Sequence, residues 1–315
     1  MVQKIDRLVT LFGGGGFVGR YVAQAIFRTG ARVRVAQRDP RRAFFLKPLG
    51  GLGQSQFVGV DIRNRGQVAE AVKGSDAVVN LVGVLKGDFE GIHVDGARHV
   101  AGAAAAAGAA ALVHLSAIGA DPESPSGYGR SKALGEQAVR EAFPSATILR
   151  PSVVFGREDQ FINRFAAMAR LLPVLPVIRG GARFQPVFAG DVGRAVAAAA
   201  LDPVSHGGRT YELGGPQVLT MRDLNRSICA MTGRGRPLID VPDPVAQLLA
   251  QLFGWLPGAP ITADQWLMLQ RDNVVADGAE GLRSFGITPT PLAAVADSWL
   301  TSYRRHGRFG AKQPY

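Results

Sequence analysis

One run places a tyrosine and a lysine four residues apart: Tyr128-Gly129-Arg130-Ser131-Lys132. On a helix that spacing puts both side chains on one face. An ammonium beside a phenol favours the phenolate, so the hydroxyl is drawn down from about 10 toward working pH. Such a hydroxyl can pass a proton to or from a carbonyl or an alcohol. A second cluster is made of glycine: Gly13-Gly14-Gly15-Gly16-Phe17-Val18-Gly19. Two spacings fit, Gly13-x-x-Gly16-x-x-Gly19 and Gly14-x-Gly16-x-x-Gly19. Glycines so spaced allow a tight turn, a close approach of backbone to a pyrophosphate, and close packing of the following helix. The N–H groups that start at Phe17 and Val18 would then face the phosphates at the positive end of that helix. A nicotinamide held there would carry the hydride that a Tyr–Lys pair complements.

Both clusters need elements to hold them. Apolar runs and amphipathic stretches alternate through the first half of the chain. Strands are expected at 8–12, 32–36, 56–60, 76–82, 111–116 and 147–150. Helices are expected at 17–29, 64–73, 89–107 and 128–142. Six alternations with short links imply βαβ crossovers and a doubly wound parallel sheet of the Rossmann type, an α/β fold. The run near 76–82 is almost all apolar, as a strand buried on both faces should be. After residue 151, prolines break the chain into short pieces. The expected division is therefore a dinucleotide-binding domain at 1–150 and a smaller mixed lobe at 151–315, with parts of about 185–215 returning to the sheet.

The end of the second strand sorts NAD from NADP, because an acid there binds a ribose 2′-hydroxyl. Here the sequence is Gln37-Arg38-Asp39-Pro40-Arg41-Arg42. Gln37 stands where the acid would be. Arg38 and Arg42 suit a 2′-phosphate, which a guanidinium grips as a fork. NADP(H) is the expected cofactor. NAD(H) is the alternative, since Asp39 would serve a 2′-hydroxyl if the register moved by two. Asp61 and Ile62, after the third strand, fit an adenine amino group and ring. Leu81, Val82 and Gly83 leave room at the carboxyl edge of the sheet.

Composition narrows the class. Lys+Arg 36 against Asp+Glu 25 gives +11. The arginines are scattered, with no basic stripe and interleaved aromatics, so no nucleic-acid partner is expected. Cys229 is the single cysteine, which excludes a disulfide framework and points to a reducing, cytoplasmic compartment. No metal-ligand spacing occurs. Asp191 reads as the N-cap of a helix at 192–200. His114, His206 and Trp266 read as structural. The stretch 244–256 is apolar over most of a helical surface. It either covers the core or rests against a membrane interface or a membrane complex. The basic segment 303–308 with Lys312 reads as a solvated tail or a docking segment.

Taken with the stretches 114–120, 184–187, 190–192, 211–216, 272–275 and 282–289, these residues resemble an extended short-chain dehydrogenase/reductase over nearly the whole chain. The similarity is to an atypical branch, that of the NADPH-binding accessory subunit of respiratory complex I and its bacterial relatives. The resemblance implies cofactor roles for Gly13, Gly16, Gly19, Asp61, Tyr128 and Lys132. It makes the segment 151–156, with Pro151 and Val153, the border of the nicotinamide. It also implies complex I subunits or a quinone as partners, and a peripheral place on the inner face of a membrane. Two departures stand out. The catalytic hydroxyl expected two residues beyond Ser116 is replaced by Ile118, unless Ser116, Ser124 or Ser126 serves instead. His93 stands where a supporting Asn is common. A missing donor costs a few kcal/mol of transition-state stabilisation. The expectation is a tightly held NADPH with little turnover. An active reductase or epimerase using Tyr128, Lys132 and Ser116 is the alternative.

Overall fold

The computed structural model describes residues 7–254, 256, 261–305 and 307–309. The chain divides into two compact units: residues 1–151, 189–213 and 276–288 form the first, and 152–188, 214–275 and 289–315 the second. The segment 276–288 thus rejoins the first unit, a return that sequence reading left unplaced.

Seven parallel strands make the sheet of the first unit. They are β1 (Leu8–Phe12), β2 (Arg32–Gln37), β3 (Ser55–Gly59), β4 (Ala77–Asn80), β5 (Ala111–Leu115), β6 (Thr147–Pro151) and the strand Thr210–Leu213. Their order across the sheet is Thr210–Leu213, β6, β5, β4, β1, β2, β3. The direction of travel reverses between β1 and β4, which opens a crevice at the carboxyl ends of those strands. β4 and β5 are buried along their whole length, as expected for central strands covered on both faces. The helices α1 (Phe17–Phe27), α2 (Arg65–Val72), α3 (Gly96–Ala106) and α4 (Gly127–Ala142) follow in turn. Val68, Val72, Val100, Leu112 and Ile148 meet in one apolar cluster between helices and sheet.

Two expectations are corrected, and one element is added. The helix expected at 89–107 is two elements, because Glu90–Asp95 winds as a π-helix before α3. An extended 3-10 helix, Pro40–Leu49, follows Asp39, whose carboxylate accepts from Arg41 N. Asp191 is not an N-cap: its helix begins earlier, at Ala189, so Asp191 sits inside the first turn, buried and paired with Arg194 at 2.8 Å. The acid still lies near the positive end of the helix.

In the second unit, Phe155, Ile162, Leu224, Ile228 and Trp299 form the main core. The helix Asp243–Phe253 buries only Ala246 and Ala250. Val245, Leu248, Leu252 and Phe253 are each about half exposed, so this helix does not cover the core with its large side chains. Trp255 and Lys312 lie outside the described residues. Arg304, read above as part of a tail, is folded in: it pairs with Asp297 at 2.7 Å and donates to Met231 O at 3.1 Å.

Candidate functional site

The glycine loop leaves β1 at the sheet's carboxyl edge. Gly13 takes φ +79°, and its N–H donates to Ala36 O at 3.0 Å. A Cβ on Gly19 would stand 2.5 Å from the carbonyl oxygens of Gly13 and Gly14, so only glycine lets α1 pack this tightly against the loop. Gly16 caps α1 with no side-chain hydrogen bond, and no acid stands in the first turn. The first-turn N–H groups therefore have no anionic side chain of their own. Gln37 steadies the loop. Its Oε1 accepts from Gly15 N at 3.0 Å, and its Nε2 donates to Asp39 O at 2.6 Å.

Asp39 is committed to the turn after β2: it caps Arg41 N and pairs with Arg42 at 3.5 Å. Arg38 and Arg42 are exposed. Asp61 is held by Arg63, whose Nε and Nη2 reach its two carboxylate oxygens at 3.1 and 2.7 Å. Those hydrogen bonds hold the carboxyl at about 2. Arg63 also faces Asp88 at 3.6 Å. Ile62 is buried, while Leu81 and Val82 are half-buried and Gly83 is exposed at the end of β4.

Tyr128 and Lys132 lie in the first turns of α4, which Ser126 caps by accepting from Gly129 N at 3.2 Å. Ser124 Oγ accepts from Ser126 N at 3.3 Å. Both serines thus serve the helix start, and neither moves in for Ile118. Lys132 is buried and donates from Nζ to Leu115 O at 2.7 Å. Burial pushes its ammonium down to about 8, against the opposing charge of Glu136.

His93, in the π-helix, completes the cluster. Its Nε2 accepts from Val84 N at 2.9 Å. Its Nδ1 therefore carries the proton and donates to Ser131 Oγ at 2.8 Å, and Ser131 donates on to Tyr128 O at 2.9 Å. Burial first, then the Lys132 charge, lowers His93 to about 4. The ring stacks on Phe89 (5.5 Å) and meets the Tyr128 ring edge-on (5.6 Å, 86°). A π-turn at such a position is a common mark of a functional site.

His114, expected to be structural, stands on β5. It lies in register with Asn80 on β4. Asn80 Oδ1 accepts from Val82 N at 3.1 Å, which leaves Nδ2 to donate to His114 Nδ1 at 3.2 Å. His114 Nε2 then bears the proton. Among the described residues it finds no acceptor, and Ser116 Oγ likewise finds no partner. Two orphaned buried polar atoms beside Lys132 are what a dinucleotide's nicotinamide ribose, or a substrate oxygen, would satisfy. The residues fit the group. The signals missed in the sequence were one polar residue on an apolar strand (His114), Ser131 next to the lysine, and an arginine two residues after Asp61.

Pro151 closes β6, and its carbonyl accepts from Ile118 N at 3.0 Å. Val153 belongs to the second unit. Asn273 Oδ1 there accepts from Val153 N at 3.0 Å and from Ser152 Oγ at 2.7 Å. Arg183 pairs with Asp272 at 2.7 Å, and Gln185 bridges Val275 N and Gly215 O. The stretches 184–187 and 272–275 thus stitch this unit together.

A family profile described as "Epimerase: NAD dependent epimerase/dehydratase family" matches residues 9–214. The Mus musculus protein named NADH dehydrogenase [ubiquinone] 1 alpha subcomplex subunit 9, mitochondrial, is 35% identical over 307 residues, covering 95% of this chain and 81% of that one. The Neurospora crassa NADH-ubiquinone oxidoreductase 40 kDa subunit, mitochondrial, is 31% identical over 309 residues, covering 95% and 80%. Among solved structures, an NADPH-dependent quinone oxidoreductase complexed with NADPH from Escherichia coli superposes with TM-score 0.74. It is 21% identical and covers 93% of this chain and 99% of that one. That likeness speaks to the fold.

Proposed function

Because the chain belongs to the NAD dependent epimerase/dehydratase family, the extended short-chain dehydrogenase/reductases, we propose that it is an accessory or assembly subunit of respiratory complex I that holds NADPH and turns it over little. The observation that carries the reading is the similarity to complex I subunits along 95% of the chain. The site supports its second half. A nicotinamide dinucleotide, the cofactor of the family, would bring hydride chemistry. In our reading Gly13, Gly16, Gly19 and the N–H groups at Phe17 and Val18 hold its pyrophosphate. Arg38 and Arg42 hold the 2′-phosphate, which makes NADPH the preferred form. Asp61 and Ile62 face the adenine, and Leu81, Val82 and Gly83 wall the crevice. Ser116, Tyr128 and Lys132 hold the nicotinamide ribose, bordered by Pro151.

Turnover through Tyr128 also needs a hydroxyl partner that donates to the substrate oxygen. Ile118 offers no hydroxyl, and His93, held neutral in a hydrogen-bonded chain, is no proton relay near pH 7.

The exposed apolar face of Asp243–Phe253 suits a docking subunit. No Lys or Arg occurs between residues 237 and 270, so this face lacks the cations that hold a helix on anionic lipid, and a protein partner fits it better. Among the described residues no helix is long and apolar enough to cross a membrane.

The test has two parts. The chain is purified without added cofactor and denatured, and the released nucleotide is identified by mass spectrometry. About one NADP(H) per chain is expected, and an empty protein that exchanges nucleotide freely would overturn tight holding. A tagged chain expressed in its own organism is then run on a native gel. Co-migration with complex I or an assembly intermediate is expected, and migration alone would overturn the partnership.

The orphaned Ser116 Oγ favours a second reading, an NADPH-dependent reductase or epimerase. Tyr128→Phe separates the two. Under our proposal the variant assembles as the wild type does. A turnover that Tyr128→Phe abolishes would install the enzyme instead.

A further inference from the structure

The second unit contains a cavity of about 420 Å³ lined by Arg222, Arg226, Cys229, Arg236 and Leu238. Its residues are separate from those of the glycine loop. Arg222 and Arg226 are four apart on the helix Met221–Met231, so one face carries both guanidiniums. The chain then turns back, with Arg234 N donating to Cys229 O at 2.9 Å, and delivers Arg236 to the same cavity ahead of the strand Leu238–Val241. Two of the three cations have carboxylate neighbours: Arg222 pairs with Asp240, and Arg226 with Asp223 at 2.8 Å. The Arg226 pair is exposed on both sides (65% and 46%), and such pairs are weak. Arg236 donates from Nε to Ala169 O at 3.0 Å. Among the described residues no carboxylate reaches its two terminal nitrogens.

Three guanidiniums against two carboxylates leave one positive charge in excess, on forks whose geometry matches phosphate oxygens. The volume lies within the range of small-molecule sites, so there is room for a phosphate and part of what it is attached to. The apolar part of the lining, Ala230 and Leu238, suits an ester more than a bare ion. We propose that this cavity is a second anion site, which binds the phosphate group of a phosphate ester on Arg222, Arg226 and Arg236.

The lone cysteine gives a local reporter. The full chain is loaded with NADPH and freed of the excess by gel filtration, so that the dinucleotide site is filled, and alkylation of Cys229 by N-ethylmaleimide is timed with and without millimolar inorganic pyrophosphate. The same assay is run with vesicles of phosphatidylglycerol and of phosphatidylcholine. Occupancy should slow alkylation. Arg226→Gln and Arg236→Gln should each raise the half-effective concentration about tenfold, the effect of losing a charge-assisted hydrogen bond. Arg236→Lys, which keeps the charge but not the fork, should fall between, and thermal melting identifies any variant that has not folded. Protection by pyrophosphate alone assigns a soluble ester, and protection by phosphatidylglycerol alone assigns a lipid headgroup. An alkylation rate that neither probe changes, or that is slowed equally in the folded Arg226→Gln/Arg236→Gln double variant, overturns the site.

Discussion

The two ends of the candidate dinucleotide site in the first unit are built from different materials. At the glycine loop the surface is backbone: N–H groups at the start of α1, a side chain excluded at Gly19, and exposed arginines at its edge. Around Lys132 the surface is buried side chain, with His93, Ser131, Asn80 and Lys132 each bonded to another protein group. A backbone cradle binds an anion without reorganising. A knitted side-chain cluster holds shape and resists proton movement. The contrast separates two demands, binding and turnover, and under the proposed function the first is the one this site serves.

The largest expected effect breaks the backbone end. Gly19→Val forces a side chain into the carbonyls of Gly13 and Gly14. Dinucleotide binding should vanish in a fluorescence titration, and melting should report a loss of about 3 kcal/mol, the upper range for overpacking. Retained binding would remove the loop as the pyrophosphate seat. Next, Arg38→Ala with Arg42→Ala should weaken NADPH by at least about tenfold and leave NADH nearly unchanged. An equal loss of both would detach these arginines from the 2′-phosphate.

At the knitted end the effects are smaller and opposed in sign. Lys132→Met should loosen nucleotide while the melting temperature holds or rises, because a buried ammonium is costly to keep. A steep fall in melting temperature would recast Lys132 as a structural pin. The smallest effect is in pH. His93 titrates near 4 in the fold, against 6.5 for the ordinary side chain, so between those values the unfolded chain binds more protons. The His93 share of stability should be level above pH 6.5 and fall as pH drops from 6.5 toward 4, at up to about 1.4 kcal/mol per unit. His93→Asn should remove that share of the slope, leaving the part due to His114, which burial also lowers. An unchanged slope would mean that His93 is solvated.

Strand–helix alternation made six strands of the first unit legible, because each crossover repeats one pattern of apolar run, turn and amphipathic stretch. The glycine loop and the Tyr–Lys pair were legible because both are local spacings. The Asn80–His114 bond was not, since it depends on the register of two strands 34 residues apart. The π-turn at His93 was hidden because its residues fit an ordinary helical period. The second unit was least legible. Its strands Val154–Phe155, Arg183–Phe184 and Val187–Phe188 are two residues long, too short for any periodicity. The helix Asp243–Phe253 showed its apolar surface in the sequence, but not that alanines would seat it.

That seating has a consequence for the life of the protein in a cell. A helix anchored through Ala246 and Ala250 buries little, while Leu248 and Leu252 remain displayed. Under the proposed function, a copy that has found its partner hides both, with Val245 and Phe253. An orphaned copy keeps showing the kind of apolar patch that favours self-association and draws chaperones and proteases. Under the proposed function, the same four side chains that dock the subunit also mark its surplus for removal, so its abundance follows the number of assemblies under construction.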